Sequence, residues 1–346
     1  MFLNHSPYSV GLDISERALR IVQLKKTSGK IKLVSWAELK SEPGLFKDNQ
    51  FTDIKQAVEQ FKTLAKEIEG QKIHTHYCVA CLPEQKTFIK VIDLPAIKAK
   101  DITSDIIEES KKHIPYPLEQ AYLDWQYVNE KDKSRAIIGL CPKDIVENYQ
   151  TVLNQAGLQP EILEIEAMSI CRGLFPLTKK VEEPVMVLDM GATRTGLVIY
   201  EENYIPFSLS LKISSENLTD CLAKELELTP EQAEEAKVKI GLDPDKANGG
   251  VLKILTKNLE ELSQEIREAK YFYYEHFAQK ETIKKIYLTG GGANLKGLAP
   301  FIQNLTKLET IIGDPLINLT IGKIEITEKQ SQSFATAIGL ALRKYQ

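Results

Sequence analysis

Two aspartates, each closing an apolar strand just before a tight turn, are the residues best placed to do chemistry: Asp13 in SVGLDIS and Asp189 in VMVLDMGAT. A carboxylate there can hold the water shell of Mg²⁺ or orient an attacking water. Turn amides can grip a phosphate, and a glycine such as Gly191 lets the main chain approach it without a Cβ in the way. A third segment, Thr289-Gly290-Gly291-Gly292-Ala293-Asn294, follows the apolar run KKIYL and precedes a helical pattern. Bare backbone is expected there at a helix N-terminus, suited to a sugar-phosphate or a flat adenine. Three glycines alone say little, because strand-to-helix turns often carry glycine for packing. Arriving after two aspartate-bearing hairpins, they predict a nucleotide cleft with Mg²⁺ held through water by Asp13 and Asp189.

The elements that must carry these residues are legible as periods. The first 40 residues alternate as three short strands, with Ser28-Gly29 at the second turn. Ile54, Val58, Phe61, Leu64 and Ile68 recur at helical spacing, and Gly70 is expected to close that helix. HYCVACLP reads as a buried strand. From Thr87 to about Gly157 the pattern is strand, helix, strand, strand, helix, a compact α+β insert. After Pro184 three more strands follow, with turns at Met190-Gly191 and near Glu202-Asn203, then helices, then the strand leading into the glycine run. DIS at 13–15 and DMGAT at 189–193 thus occupy the same place in two β-β-β units, an internal pseudo-repeat. The tail SQSFATAIGLALRKY is read as one helix whose small residues Ala335, Ala337 and Gly339 suit close packing.

Composition narrows the function. A chain of 346 residues exceeds what one core usually serves, so two lobes are expected. A net charge of -4, with 44 Lys+Arg against 48 Asp+Glu and no local basic cluster, excludes nucleic acid and direct binding to anionic lipid as first readings. No apolar run reaches the roughly 18–20 residues that span a bilayer, which predicts a cytoplasmic protein without direct membrane insertion. Five scattered cysteines point to reduced thiols. Cys78 and Cys81 spell CxxC behind His74 and His76, but positions three apart on a strand face opposite ways, so two buried thiols are expected rather than a metal site.

These residues resemble the actin/Hsp70/FtsA superfamily, and within it the PilM family of type IV pilus assembly proteins. VGLDISERALRIVQL is similar to the first phosphate loop, VLDMGATRTGLVIY to the second and YLTGGGANLKGL to the adenosine loop. VIDLP and KKHIPYPLEQAYLDWQ resemble the small SHS2-like subdomain of PilM. The resemblance implies an actin-like ATPase fold of class α/β in two lobes. The first lobe's core would take residues 1–86, 158–183 and 330–346, with an SHS2-like α+β subdomain inserted at 87–157; the second lobe would take 184–329. It implies that ATP and Mg²⁺ sit against Asp13, Ser15, Glu16, Arg17, Arg20, Asp189, Gly191, Ala192, Thr193, Arg194, Gly290, Gly291, Gly292 and Asn294. EILEIEAMSICRGL would place Glu164 and Glu166 at acidic positions beside the cleft, and LSQEIREAKYFY would offer Glu265 to a ribose hydroxyl. It further implies an adaptor whose first-lobe groove, expected at His113, Ile114, Pro115, Tyr116, Pro117 and Leu118, takes the cytoplasmic N-terminal peptide of PilN. That partner would tie the chain to the inner-membrane assembly platform, and self-association is open.

Departures from the family pattern qualify the chemistry. Ser15-Glu16-Arg17 stands where a glycine and small hydroxylated residues are usual, and Arg194 stands where a small hydroxyl residue is usual, offering compensating charge. No nucleophile-base set or paired carboxylates for turnover stand out, so weak ATPase activity at most is expected. A sugar kinase of this fold would need a catalytic Asp, for which Asp124 is the loose candidate. An FtsA-like polymerising protein would be expected to end in a basic amphipathic helix, and a type II secretion platform domain to continue into a membrane span; the ending ALRKYQ fits neither.

Overall fold

The computed structural model describes residues 10–94, 102–114, 117–129, 131, 133–277, 282–320, 322 and 326–346. The first sheet is built from β1 (Val10–Ile14), β2 (Ala18–Thr27), β3 (Lys30–Lys40), β6 (Glu69–Gly70), β7 (Tyr77–Leu82) and β11 (Gln159–Ile165), in the order β11-β7-β1-β2-β3-β6. A two-residue-per-strand hairpin, β4 (Phe46–Lys47) and β5 (Gln50–Phe51), lies between β3 and the helix α1 (Ile54–Leu64). β1 runs antiparallel to β2 and parallel to β7, and β7 parallel to β11.

The same wiring recurs in the second half. β12 (Val185–Met190), β13 (Thr195–Tyr200), β14 (Ser208–Leu211), β15 (Lys285–Thr289) and β16 (Glu309–Ile312) form a sheet in the order β14-β13-β12-β15-β16. Its hairpin strands are antiparallel and β15 and β16 join in parallel. The pseudo-repeat in the sequence is therefore a repeat of topology. It places Asp13 and Asp189 at equivalent strand ends.

Helices cover the sheets. Among them, α3 (Lys143–Gln155) packs with α1 on the first sheet; α5 (Ser215–Glu225), α6 (Pro230–Ile240), α7 (Gly250–His276) and α8 (Leu298–Thr306) serve the second. Between the sheets run α4 (Glu166–Leu174), α9 (Glu328–Ser333) and α10 (Ala335–Leu342). Residues Ala167, Ile170 and Phe175 of the α4 region share a core with Val187, Val198 and Tyr200 of the second sheet, which joins the two sheets through α4. The insert is a three-stranded antiparallel sheet, β8 (Phe88–Asp93), β10 (Arg135–Pro142) and β9 (Ala121–Tyr127), with α2 (Ile102–Ser110) over a small core of its own.

Three sequence expectations need correction. The first helix ends at Leu64, not Gly70; Glu69 and Gly70 instead pair with Trp36 and Ser35 at the edge of the sheet. The tail is two helices rather than one, because Phe334 leaves helical geometry and turns its ring edge-on to Trp36 at 5.3 Å. The glycine run does not open α8 directly. Gly291–Asn294 form a 3₁₀ turn, and Gly297, in left-handed conformation, starts the helix. The CxxC thiols behave as read: both are buried, Cys78 in the first-lobe core and Cys81 on the opposite face beside Leu340. Burial pushes the Cys78 thiol up to about 12.

Candidate functional site

The two hairpin turns and the glycine turn meet at one cavity of about 320 Å³. From the first hairpin it is lined by Asp13, Ser15, Glu16, Arg17 and Arg20; from the second by Asp189, Gly191, Ala192, Thr193 and Arg194; and from the third segment by Gly290, Gly291 and Gly292. Each hairpin turn closes on itself, Ser15 N–H to the Ala18 carbonyl at 3.0 Å and Gly191 N–H to the Arg194 carbonyl at 2.9 Å. That leaves the amides of the turn centres, Glu16-Arg17 and Ala192-Thr193, as the main-chain donors available toward the cleft.

The glycines have distinct reasons to be there. A Cβ on Gly290 would stand 2.3 Å from Asp189 Oδ1 and 2.6 Å from the Met190 carbonyl, and its φ is +81°. Gly290 therefore lets β15 come up against the second aspartate. Gly291 has nothing within 4 Å of a built Cβ. It keeps the cleft open rather than the turn intact. Gly291→Val is accordingly expected to fold normally, whereas Gly290→Val should unfold the turn; thermal melts separate the two.

The charges are unevenly paired. Asp13 lies directly across the hairpin from Arg20 and accepts a hydrogen bond from its Nη1 at 3.1 Å. Burial still pushes Asp13 up to about 6, Arg20 opposing the rise and Glu166 adding to it. Asp189 faces Gly196 across its own hairpin and so has no cross-strand cation. Burial, then the nearby Glu166, push it up to about 8, against the pull of Arg194.

Arg194 does not supply free charge for phosphate, as its position in the sequence suggested. Its guanidinium donates to Glu84 Oε2 at 2.9 Å and to Glu166 Oε2. Burial disfavours its charge, but Glu166 and Glu84 outweigh this and hold it charged more firmly than an ordinary arginine. Glu84 is itself raised by burial, and its Oε1 has no partner among the described residues. Arg17 is likewise engaged, forking onto Glu216 with Nε to Oε1 at 2.6 Å and Nη2 to Oε2 at 2.8 Å.

Two expected contacts lie elsewhere. Glu265, on α7, does not line this cavity, and neither does Asn294, whose amide ties the glycine turn to the Lys329 carbonyl at 3.0 Å. From α5 and α6 the wall is instead Ser215 and Glu234, with Lys237 Nζ bridging to Glu234 Oε2 at 2.7 Å. Glu166 does line the cavity, while Glu164 is paired with Arg172 away from it. Glu234 had no sequence signal beyond a solvated helix face; the packing of α6 on α5 brings it, still half exposed, to the rim of the cavity.

A second concavity of about 420 Å³ separates the insert from the first sheet. Its walls are β9 and β11, both edge strands of their sheets. Its floor is Leu82, Ile89, Ile137, Leu140 and Val146. Asp124 lies here and not in the cavity between the hairpins, so it does not join Asp13 and Asp189 there. Of the segment expected to hold a partner peptide, Ile114 and Leu118 pack into the insert's own core and His113 sits between Lys90 and Glu109. Pro117 does not line the groove, and Pro115 and Tyr116 lie outside the described residues.

Comparison with known proteins agrees with this geometry. The PilM–PilN type IV pilus biogenesis complex superposes with a TM-score of 0.82 at 24% identity, covering 98% of each chain. MreB5 of Spiroplasma citri bound to ADP gives 0.60 at 12%, covering 98% of this chain and 97% of its own. The ethanolamine utilisation protein EutJ of Carboxydothermus hydrogenoformans gives 0.58 at 16%, covering 97% and 90%. These share the two-lobed actin-like fold. In sequence, cell division protein FtsA of Borreliella burgdorferi is 24% identical over 221 residues, 58% of this chain, which spans only 52% of that protein's length. The family model described as type IV pilus assembly protein PilM matches residues 11–345, the two hairpins, the insert and the glycine turn included. The chain therefore belongs to the PilM family of type IV pilus assembly proteins.

Proposed function

We propose that this chain is a nucleotide-binding adaptor of the inner-membrane pilus platform. ATP with Mg²⁺ would occupy the cleft, and the cytoplasmic N-terminal peptide of a PilN-type partner the groove. One observation carries the nucleotide reading: two hairpin turns of repeated topology and a Cβ-free turn converge on one cavity with two buried carboxylates in it. The residues fit a metal-nucleotide better than a bare one. Asp13, Asp189, Glu166, Glu16 and Glu234 line the cavity against Arg17, Arg20 and Arg194, all three of which already have acidic partners. Asp13 and Asp189 would hold the ion through water, Glu16-Arg17 and Ala192-Thr193 would offer amides to phosphate, Glu234 would accept from the ribose, and Gly291 would lie under the base. When bound, the ion supplies the positive charge that the protein groups have spent on one another.

The groove supports the partner reading. Edge strands offer unpaired main-chain donors and acceptors, so an extended peptide can add to β9 or β11 while apolar side chains enter the floor. Attachment through such a partner would keep the protein at the inner membrane; among the described residues no helix is long and apolar enough to cross it.

Two measurements test these parts separately. Mg-ATP at millimolar concentration is expected to raise the melting temperature, and ATP with EDTA is not; equal shifts would remove the metal from the reading. Tyr122→Ala and Ile162→Glu, on the two groove walls, are each expected to weaken a PilN N-terminal peptide about tenfold while leaving the Mg-ATP shift intact. Unchanged peptide affinity, read by fluorescence anisotropy, would place the peptide elsewhere.

A further inference from the structure

Both arginines of the hairpin turns cross the cleft, in opposite directions. Arg17 lies four residues after Asp13 on the first-lobe hairpin and reaches Glu216 at the start of α5, in the second lobe. Arg194 lies five residues after Asp189 on the second-lobe hairpin and reaches Glu84 and Glu166, both in the first lobe. Each lobe thus carries one arginine arm, received by Glu216 in the second lobe and by Glu84 and Glu166 in the first.

The two arms differ in setting. Arg17 and Glu216 stand at the mouth with side chains 57% and 40% exposed, so salt and solvent weaken them. Arg194 and its receivers are at the floor, with side chains 18% exposed for Arg194 and 4% and 11% for Glu84 and Glu166. Gly196 leaves the space for this: a Cβ there would come within 2.9 Å of Glu84 Oε2. Without Arg194, Glu84 and Glu166 would lose the one second-lobe cation that the structure places against them, leaving two buried carboxyl groups without it. The apolar core around Ala167, Ile170 and Val187 joins α4 to the second sheet, and none of its residues lines the cleft.

We infer that Arg17 and Arg194 are reciprocal clasps that hold the two lobes closed by protein groups alone, so that closure does not depend on nucleotide. The inference goes beyond the nucleotide reading and stands without it, because its test contains no nucleotide.

The full-length chain is measured by small-angle scattering and by backbone hydrogen exchange of the turns at 15–18 and 191–194. Wild type is expected at the compact radius of gyration for its length, about 20 Å, with slow exchange at the hydrogen-bonded turn amides of Ser15, Ala18 and Gly191. Arg17→Glu should raise exchange in both turns severalfold and enlarge the radius, and adding Glu216→Arg, which restores the pair with its charges exchanged, should reverse both. Arg194→Gln should open the cleft further than Arg17→Glu. Arg17 and Glu216 are exposed, so these variants fold even if the floor variant does not. A wild-type radius and exchange pattern in Arg17→Glu would overturn the inference. So would failure of the charge exchange to restore closure, which would mean that Arg17 acts through its own turn. An expanded wild type that contracts only on adding Mg-ATP would overturn it as well, while leaving the nucleotide reading standing. Absence of any ATP effect on melting would remove the nucleotide reading and leave the clasps untouched.

Discussion

Asp189→Asn should make the protein more stable at pH 7.5 and at the same time abolish its stabilisation by Mg-ATP. The first half follows from linkage. Burial raises Asp189 from an ordinary 3.8 to about 8. Below pH 3.8 the group is protonated in folded and unfolded chains alike and does not affect stability. As the pH climbs from about 4 to 8 the unfolded chain ionises while the folded one keeps its proton, so folding loses stability across that window and no more above it. Asparagine, which cannot ionise, escapes the loss, and a gain in stability at pH 7.5 is expected. It should vanish at pH 4. The second half follows because a metal needs the carboxylate ionised, so Mg-ATP must displace a proton near neutral pH. Affinity should therefore rise from pH 6 to 8, with proton release visible in calorimetry as a dependence on buffer ionisation enthalpy. A variant that loses stability at pH 7.5, or wild-type affinity that falls as the pH rises, would contradict the protonated-carboxylate account.

The largest loss of stability is expected far from any chemistry, at Gly339. A Cβ built there would sit 1.8 Å from the Ser169 carbonyl oxygen and 2.5 Å from its carbon. Both obstacles are backbone in α4, so no side-chain rotation relieves them. On the other face of α10, a Cβ on Gly11 would come within 2.1 Å of the Ala337 carbonyl. The helix is thus wedged between β1 and α4 with glycine on each contact. Gly339→Ala must pry α10 from one of them, at a cost of about 4 kcal/mol, or a melting temperature lower by about 5 °C. Gly250→Ala, where nothing lies within 4 Å, is the control, expected neutral or slightly stabilising. Equal melting of the two variants would show that α10 has room to move.

How much of this was legible beforehand differs by residue. Asp13, Asp189 and the three glycines could be placed because strand period, turn chemistry and their repetition are local properties, and local order fixes which end of a strand a residue occupies. Of the His113–Leu118 segment, expected to hold a partner peptide, Ile114 and Leu118 pack against the insert's own core. Those apolar residues announce burial, and sequence does not distinguish burial in the insert's own core from burial under a partner. Glu265 and Glu234 illustrate the same limit, since both sit on amphipathic helices and only the crossing of α5, α6 and α7 selects which one meets the cleft.

The sequence by itself determined the two β-β-β units, the insert between them and the carboxylate at each turn, because hydrophobic period and glycine placement act over a few residues. Tertiary structure alone decided what the charges do. Arg194 is separated from Glu84 by 110 residues and Arg17 from Glu216 by 199. Whether an arginine meets phosphate or carboxylate depends on which groups the folded lobes bring within about 3 Å, and in a buried cleft that proximity sets both pairing and protonation.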